Sequence, residues 1–167
     1  SHASCPVVVV REDNHVTDST KYGPVVVGVD GSEVSQKATS YAFREAQARG
    51  AALIAVHTWM DMQVQASLAG LSAAQSEWAD IEREQSELLT ENLKEPREEY
   101  PEVEVKKLIT RDRPVSALTE AAEGAQLLVV GSHGRGGFKG MLLGSTSRAL
   151  LQSAPCPMMV VRPDEEG

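Results

Sequence analysis

Cysteine is scarce in this chain: Cys5 and Cys156 are the only two in 167 residues, and each stands directly before a proline. Two such residues do not make a disulfide framework, and a reducing cytoplasm is the simplest compartment for them. Apolar runs of membrane length are also missing, and the N-terminal residues lack a secretion-signal pattern, so no membrane partner is expected. Positive charge is in deficit. A formal net charge of −8 speaks against broad, non-specific nucleic-acid binding. One absence is local: from Gly124 to Pro163 there is no Asp or Glu, while Arg135, Lys139, Arg148 and Arg162 all fall there. The acids gather instead in Glu77 to Glu104 and at the C-terminus, where the outer face of an amphipathic helix would simply be solvated.

What is present suits one α/β domain. Hydrophobic residues make up 41% and charged residues 24% of a chain too short for two full domains of this class. Val25 to Val29 is a β-branched run broken only by Gly28, as in a strand buried on both faces. It ends in Asp30-Gly31-Ser32, a turn that leads into a helix with Ser32 as N-cap, Val34, Ala38, Tyr41 and Ala42 on one face, and Gly50 as its stop. Ala51 to Trp59 reads as the second strand and Met60 to Gly70 as a mobile loop. Ser72-x-x-Gln75 is a capping box. The long helix after it carries Trp78, Ile81, Gln85, Leu88 and Leu89 on one face and ends near Pro96. Val103 to Ile109 has the charged alternation of an edge strand. Pro114 opens a third helix that Gly124 closes; Leu127 to Val130 and Met158 to Val161 are the fourth and fifth strands. Strands alternating with helices predict a parallel, doubly wound sheet with helices on both faces.

The fourth strand runs into the stretch Gly131 to Ser147, GSHGRGGFKGMLLGSTS, and a helix follows with its N-cap within Gly144-Ser145-Thr146. Glycines at a strand-to-helix junction let an anion approach the backbone, and helix N-terminal amides attract it. The local lack of acids would make the mouth of such a site positive. The stretch is no P-loop, since Gly131-x4-Gly136 continues with Gly137 and Phe138 in place of Lys and Ser or Thr. Nor is it a dinucleotide fingerprint: Lys139 stands where the third glycine should fall.

The spacing Gly131-x2-Gly134-x9-Gly144-Ser145 resembles the nucleotide-binding signature of the universal stress protein family, in its ATP-binding branch, and the likeness extends from about Gly23 to Arg162. The resemblance implies a five-stranded parallel sheet of order 3-2-1-4-5. Ligands would bind beyond the carboxyl ends of the first and fourth strands, where strand order reverses. On the family pattern, Gly28, Val29 and Asp30 border the adenosine, Thr58 lies near the base, and Val130 and Gly131 flank the sugar. His133 and Gly134 approach the phosphates, which Gly144, Ser145, Thr146 and Ser147 hold.

Several of these residues have a second reading. Asp30 accepts hydrogen bonds from ribose or adenine, or else it caps the turn before the helix. His133 serves phosphate, or faces solvent. Arg135 and Lys139 meet the outer phosphates or water. Magnesium would arrive on the nucleotide phosphates, since no independent metal site or catalytic constellation is visible. The implied function is an ATP-dependent switch in stress response, with slow hydrolysis at most. The alternatives are an ATP-hydrolysing or nucleotidyl-transferring enzyme on the same fold, and a ligand-free assembly module.

The first 21 residues stand apart. Cys5-Pro6-Val7-Val8-Val9-Val10-Arg11 resembles Cys156-Pro157-Met158-Met159-Val160-Val161-Arg162, a likeness that reaches Asp13 and Asp164. Residues 1–21 therefore read as a leader strand and linker resembling the tail of a preceding repeat, and residues 22–167 as the nucleotide-binding domain. The leader should pair antiparallel with Pro157 to Val161, within the chain or on another copy. The resemblance also implies a second universal-stress domain, or a homodimer, through that fifth-strand edge.

Overall fold

The computed structural model describes residues 5–12, 14, 21–59, 70, 75–134 and 143–164. Its elements, in chain order, are β1 (Val7–Val9), β2 (Val25–Gly28), α1 (Glu33–Arg49), β3 (Leu53–Thr58), α2 (Gln75–Glu99), β4 (Val105–Thr110), α3 (Pro114–Ala122), β5 (Leu127–Gly131), α4 (Ser145–Ser153) and β6 (Met158–Val161). They form one six-stranded sheet of order β1-β6-β5-β2-β3-β4. The four pairings from β6 to β4 are parallel, and the leader strand β1 joins antiparallel at the β6 edge. This is the predicted order 3-2-1-4-5, with the leader added within the same chain.

The period of two along the strands divides the core. Val25, Val27, Leu127, Val129 and Met159 point to one face, where they meet Ala38, Ala42 and Phe43 of α1 and Leu89 and Leu93 of α2. Val26, Leu128, Val130, Met158 and Val160 point to the other, against Leu118 of α3 and Leu150 of α4. Both faces of the central strands are therefore covered, which is why their sequences read as unbroken apolar runs. At the far edge, β4 exposes Lys106, Lys107 and Leu108.

The ends of α1 follow local chemistry. Ser32 Oγ accepts from the Ser35 amide at 3.2 Å, and Gly50 closes the helix in the left-handed region at φ 61°. Two expectations for α2 are corrected. The helix runs through Pro96 to Glu99, because a proline near a helix end loses one carbonyl partner without forcing a stop. Its buried stripe is Gln85, Leu89 and Leu93, while Leu88 is 51% exposed, since positions four apart share a face and adjacent ones do not. The predicted loop before Gly70 and Ser72 of the capping box lie outside the described residues.

Candidate functional site

The strand order turns at β2 and β5, which lie side by side with Val27 opposite Val129. From β2 the chain goes to β3 on one side, and from β5 to β6 on the other. Beyond these two carboxyl ends lie the Asp30 turn and the Gly131 to Gly134 segment. The β2–β3 register sets Gly28 opposite Val56; carried on by two residues, it brings Thr58 level with Asp30. The half-buried Thr58 also pairs with Thr110 of β4.

The Asp30 turn is held by a small polar network. Asp30 Oδ1 accepts from the Ser32 amide at 2.8 Å, and the Asp30 amide donates to Ser35 Oγ at 3.0 Å. Ser35 is buried, and its carbonyl accepts from Thr39 Oγ1 at 2.8 Å. Gly31 takes φ 80°, a backbone state that suits glycine. The capping role weighed for Asp30 is thus real, but it engages Oδ1. The other oxygen, Oδ2, faces Gly134, where a Cβ would stand 3.2 Å away.

The glycine stretch is tied at its base. Ser132 N–H donates to the Val161 carbonyl at 2.8 Å, and Gly144 N–H donates to the Ser132 carbonyl at 2.7 Å. Gly144 is the N-cap of α4 and lies against this same backbone: a Cβ there would meet Ser132 O at 3.4 Å, His133 Cα at 3.5 Å and Gly134 N at 3.6 Å. The first amides of α4 have no acceptor within the helix. Ser145 is exposed and Thr146 half-buried beside them. Ser147 is different: it is buried and its hydroxyl donates to the Gly131 carbonyl at 2.7 Å, fastening α4 to the end of β5. His133 Nδ1 is 2.9 Å from the buried Ser132 Oγ. Arg135 and Lys139 lie outside the described residues.

Two of the predicted glycines have packing roles. A Cβ at Gly131 would stand 2.8 Å from Val34 Cγ1, so α1 comes against β5 closely there. At Gly28 it would meet Leu118 Cδ1 at 3.3 Å and Val130 Cγ1 at 3.6 Å. Val29 and Val130 themselves are buried in the core, on opposite faces of the sheet. The structure therefore brings Asp30, Gly134, His133 and Gly144 together, with Thr58 in the neighbouring row.

Sequence reasoning passed over the other side of this rim. His57 Nδ1 lies 2.7 Å from the Val29 carbonyl and Nε2 2.6 Å from Gln85 Oε1, a link from β2 through β3 to α2. Past it, Trp59 is buried, tilted against Trp78 at 5.6 Å, and covered by the Arg111 guanidinium 5.0 Å from its ring centre. The signal was a polar Gln85 on the buried stripe of a helix. Among the described residues, no group of three or more His, Cys, Asp or Glu could hold a metal ion, and no helix is long and apolar enough to cross a membrane.

A universal stress protein of Mycobacterium tuberculosis is 46% identical over 160 residues, covering 96% of this chain and 52% of the relative. The chain spans about half the length of the curated relatives it matches. Among solved structures, a universal stress protein in complex with cAMP is 27% identical, with a TM-score of 0.58 over 84% of this chain and 96% of that one. One from Archaeoglobus fulgidus, in complex with dAMP, is 23% identical with a TM-score of 0.59 over 84% and 98%, a likeness of fold. The family model of the Universal stress protein family matches residues 21–162. With that match across nearly the whole sheet, the chain belongs to the universal stress protein family.

Proposed function

We propose that the chain binds ATP where β2 and β5 end, and that it acts as a nucleotide-dependent switch. The observation that carries this reading is the bare backbone at Gly134 and Gly144, set between the Asp30 carboxylate and the amides opening α4. A side chain at either glycine would fill the space between them. The donor set fits a phosphate chain: N-terminal helix amides and the Ser145 and Thr146 hydroxyls are neutral donors that an anion rewards. Asp30, level with Thr58, suits the hydroxyls of the sugar or the edge of the base, both of which have protons to give. The cAMP complex of a relative with the same fold supports an adenine nucleotide as the ligand class.

The triphosphate would lie against the amides opening α4, bringing any magnesium with it, while Asp30 would take the sugar or the base. The chain's own contribution is to bind and orient. A nucleotide seated against Gly134 and the opening of α4 would change the surface beside β6, which is how occupancy would reach a partner. The cytoplasm and a role in stress response belong to the same reading.

Calorimetry on Gly144→Val tests the site. The branched side chain would press on Ser132 and His133 and cover the opening amides of α4, and ATP binding should be lost in a folded protein. Unchanged affinity would refute the assignment. Mass spectrometry of whatever small molecule is released when the purified protein is denatured identifies the nucleotide, and an adenine nucleotide is the expected result.

A further inference from the structure

Gln85 is a polar residue in an apolar row. It heads the buried stripe of α2 that continues with Leu89 and Leu93, and it is itself only 6% exposed. An apolar side chain would pack there without a partner, whereas a buried amide must find one to replace the water it gave up. The partner is His57, whose Nε2 lies 2.6 Å from Gln85 Oε1 and whose Nδ1 lies 2.7 Å from the Val29 carbonyl. A carbonyl only accepts, so Nδ1 carries a proton. A side-chain amide can offer either its oxygen or its nitrogen, so Gln85 holds the ring whether or not Nε2 is protonated.

The carbonyl that His57 takes is the one at which the β2–β3 ladder stops. That ladder runs from Val25 opposite Leu53 to Gly28 opposite Val56. One bond further, Val29 N–H still donates to the Val56 carbonyl at 2.9 Å. In a parallel ladder the next bond would run from Thr58 N–H to the Val29 carbonyl. The pairing ends before it, and the imidazole stands at that carbonyl. The chain then turns away, with the Asp30 amide on Ser35 Oγ and the Asp30 carboxylate on the Ser32 amide. On its other side β3 stays paired with β4 through Thr58 opposite Thr110. The parting is therefore confined to β2 and β3, where the candidate site begins.

We infer that His57 is a positioning residue of the nucleotide site and that Gln85 fixes its ring, an inference that rests on the site proposed above. By holding the Val29 carbonyl, the ring ends the ladder and keeps β3 from zipping one step further along β2. It thereby sets the Val29–Asp30 peptide, and with it the direction of the Asp30 carboxylate. His57 acts through this backbone and not on the nucleotide. Gln85 makes α2 part of the frame, since the ring that orients Asp30 is itself oriented from that helix.

Two double variants of the full chain differ only in the donor at this carbonyl. His57→Leu with Gln85→Leu exchanges the polar pair for an apolar one, a change that a buried stripe tolerates because no amide is left unpaired on α2. His57→Asn with Gln85→Leu is the same on α2 but keeps an N–H donor close to where Nδ1 was. Calorimetry should show the leucine pair binding ATP about tenfold more weakly than the natural chain, and the asparagine variant recovering most of that loss. Amide hydrogen exchange without nucleotide reads the ladder itself. The Thr58 amide should exchange quickly in the natural chain and the asparagine variant, and slowly in the leucine pair, where Val29 takes it as a partner. Nitrogen NMR at about pH 8 should find His57 protonated at Nδ1, and Gln85→Leu alone should give a mixture of tautomers. If the leucine pair does not fold, His57→Phe with Gln85→Leu takes its place, with the same outcomes expected. Equal ATP affinity in the folded leucine pair, the same Thr58 exchange in all three proteins, or a His57 bare at Nδ1 overturns the inference. A natural chain that takes no ATP would refute the site instead, and exchange and NMR would then decide the role of His57 by themselves.

Discussion

Asp30 Oδ2 and the backbone of Gly134 share one small space, 3.2 Å between the oxygen and where a Cβ would be. Two segments far apart in sequence meet there, one from the end of β2 and one from the end of β5. If this gap is the throat of the nucleotide site, a single methyl group should matter more for binding than for folding. Gly134→Ala should lower ATP affinity about tenfold, near 1.4 kcal/mol, with little change in thermal unfolding because Gly134 is exposed. Calorimetry beside a melting curve checks it; equal affinity in a folded variant counts against the site.

Gly131 makes the opposite kind of demand. Its missing Cβ is occupied by Val34 of α1, only 2.8 Å away, so Gly131→Ala overpacks a helix–strand contact and should cost about 1–3 kcal/mol of stability. Val34→Ala removes the atom in the way and should restore part of that loss in the double variant. Urea unfolding of the four proteins in the cycle measures the coupling. A double variant no more stable than Gly131→Ala alone would mean that the contact is not the cause.

These two glycines show what a sequence can and cannot carry. The strands were legible because Val25 to Val27 and Leu127 to Val130 are buried on both faces and need no polar positions. The bounds of α1 were legible because Ser32 and Gly50 satisfy helix ends by local chemistry alone. Even the leader's pairing could be expected from its likeness to β6. The separate duties of Gly131 and Gly134 could not, because each depends on an atom of another element, Val34 in one case and Asp30 in the other. Ser147 likewise reads as a phosphate donor until its hydroxyl is found on the Gly131 carbonyl. His57 with Gln85, and Arg111 over Trp59 and Trp78, join β3, β4 and α2, and no spacing within one element predicts such pairs.

Hydrolysis should be slow if the site is a switch. Fast phosphoryl transfer needs an in-line nucleophile, a base or orienting group, and strong stabilisation of the leaving charge. His133, the candidate for acid–base work, has Nδ1 against Ser132 Oγ. Steady-state turnover should fall far below the roughly 10 s⁻¹ median of enzymes. A rate near that median, in protein freed of contaminating ATPase and lost in Gly144→Val, would make the enzyme reading the better one.

The two cysteines, counterparts in the repeat, should behave unlike each other. Cys5 is exposed, whereas Cys156 is 4% exposed and burial pushes its thiol up to about 11, against a smaller lowering by a hydrogen bond to the Leu128 backbone. The antiparallel ladder puts them at opposite ends of β1 and β6, and both are free thiols. Since the thiolate is the reactive form, a maleimide at pH 8 should modify Cys5 at once and Cys156 only when the protein is unfolded. The same shift predicts an alkaline loss of stability. The unfolded chain gives up this proton near about 8.5, and the folded chain holds it to about 11. Below the first value the thiol contributes no pH dependence; between the two, the unfolded state is the more deprotonated and stability falls as pH rises. Tyrosines and lysines also titrate in that range, so the measurement is a difference. Urea midpoints from pH 8 to 10.5 should fall more steeply for the natural chain than for Cys156→Ala. Parallel slopes would show that the folded chain does not hold this proton any longer than the unfolded one.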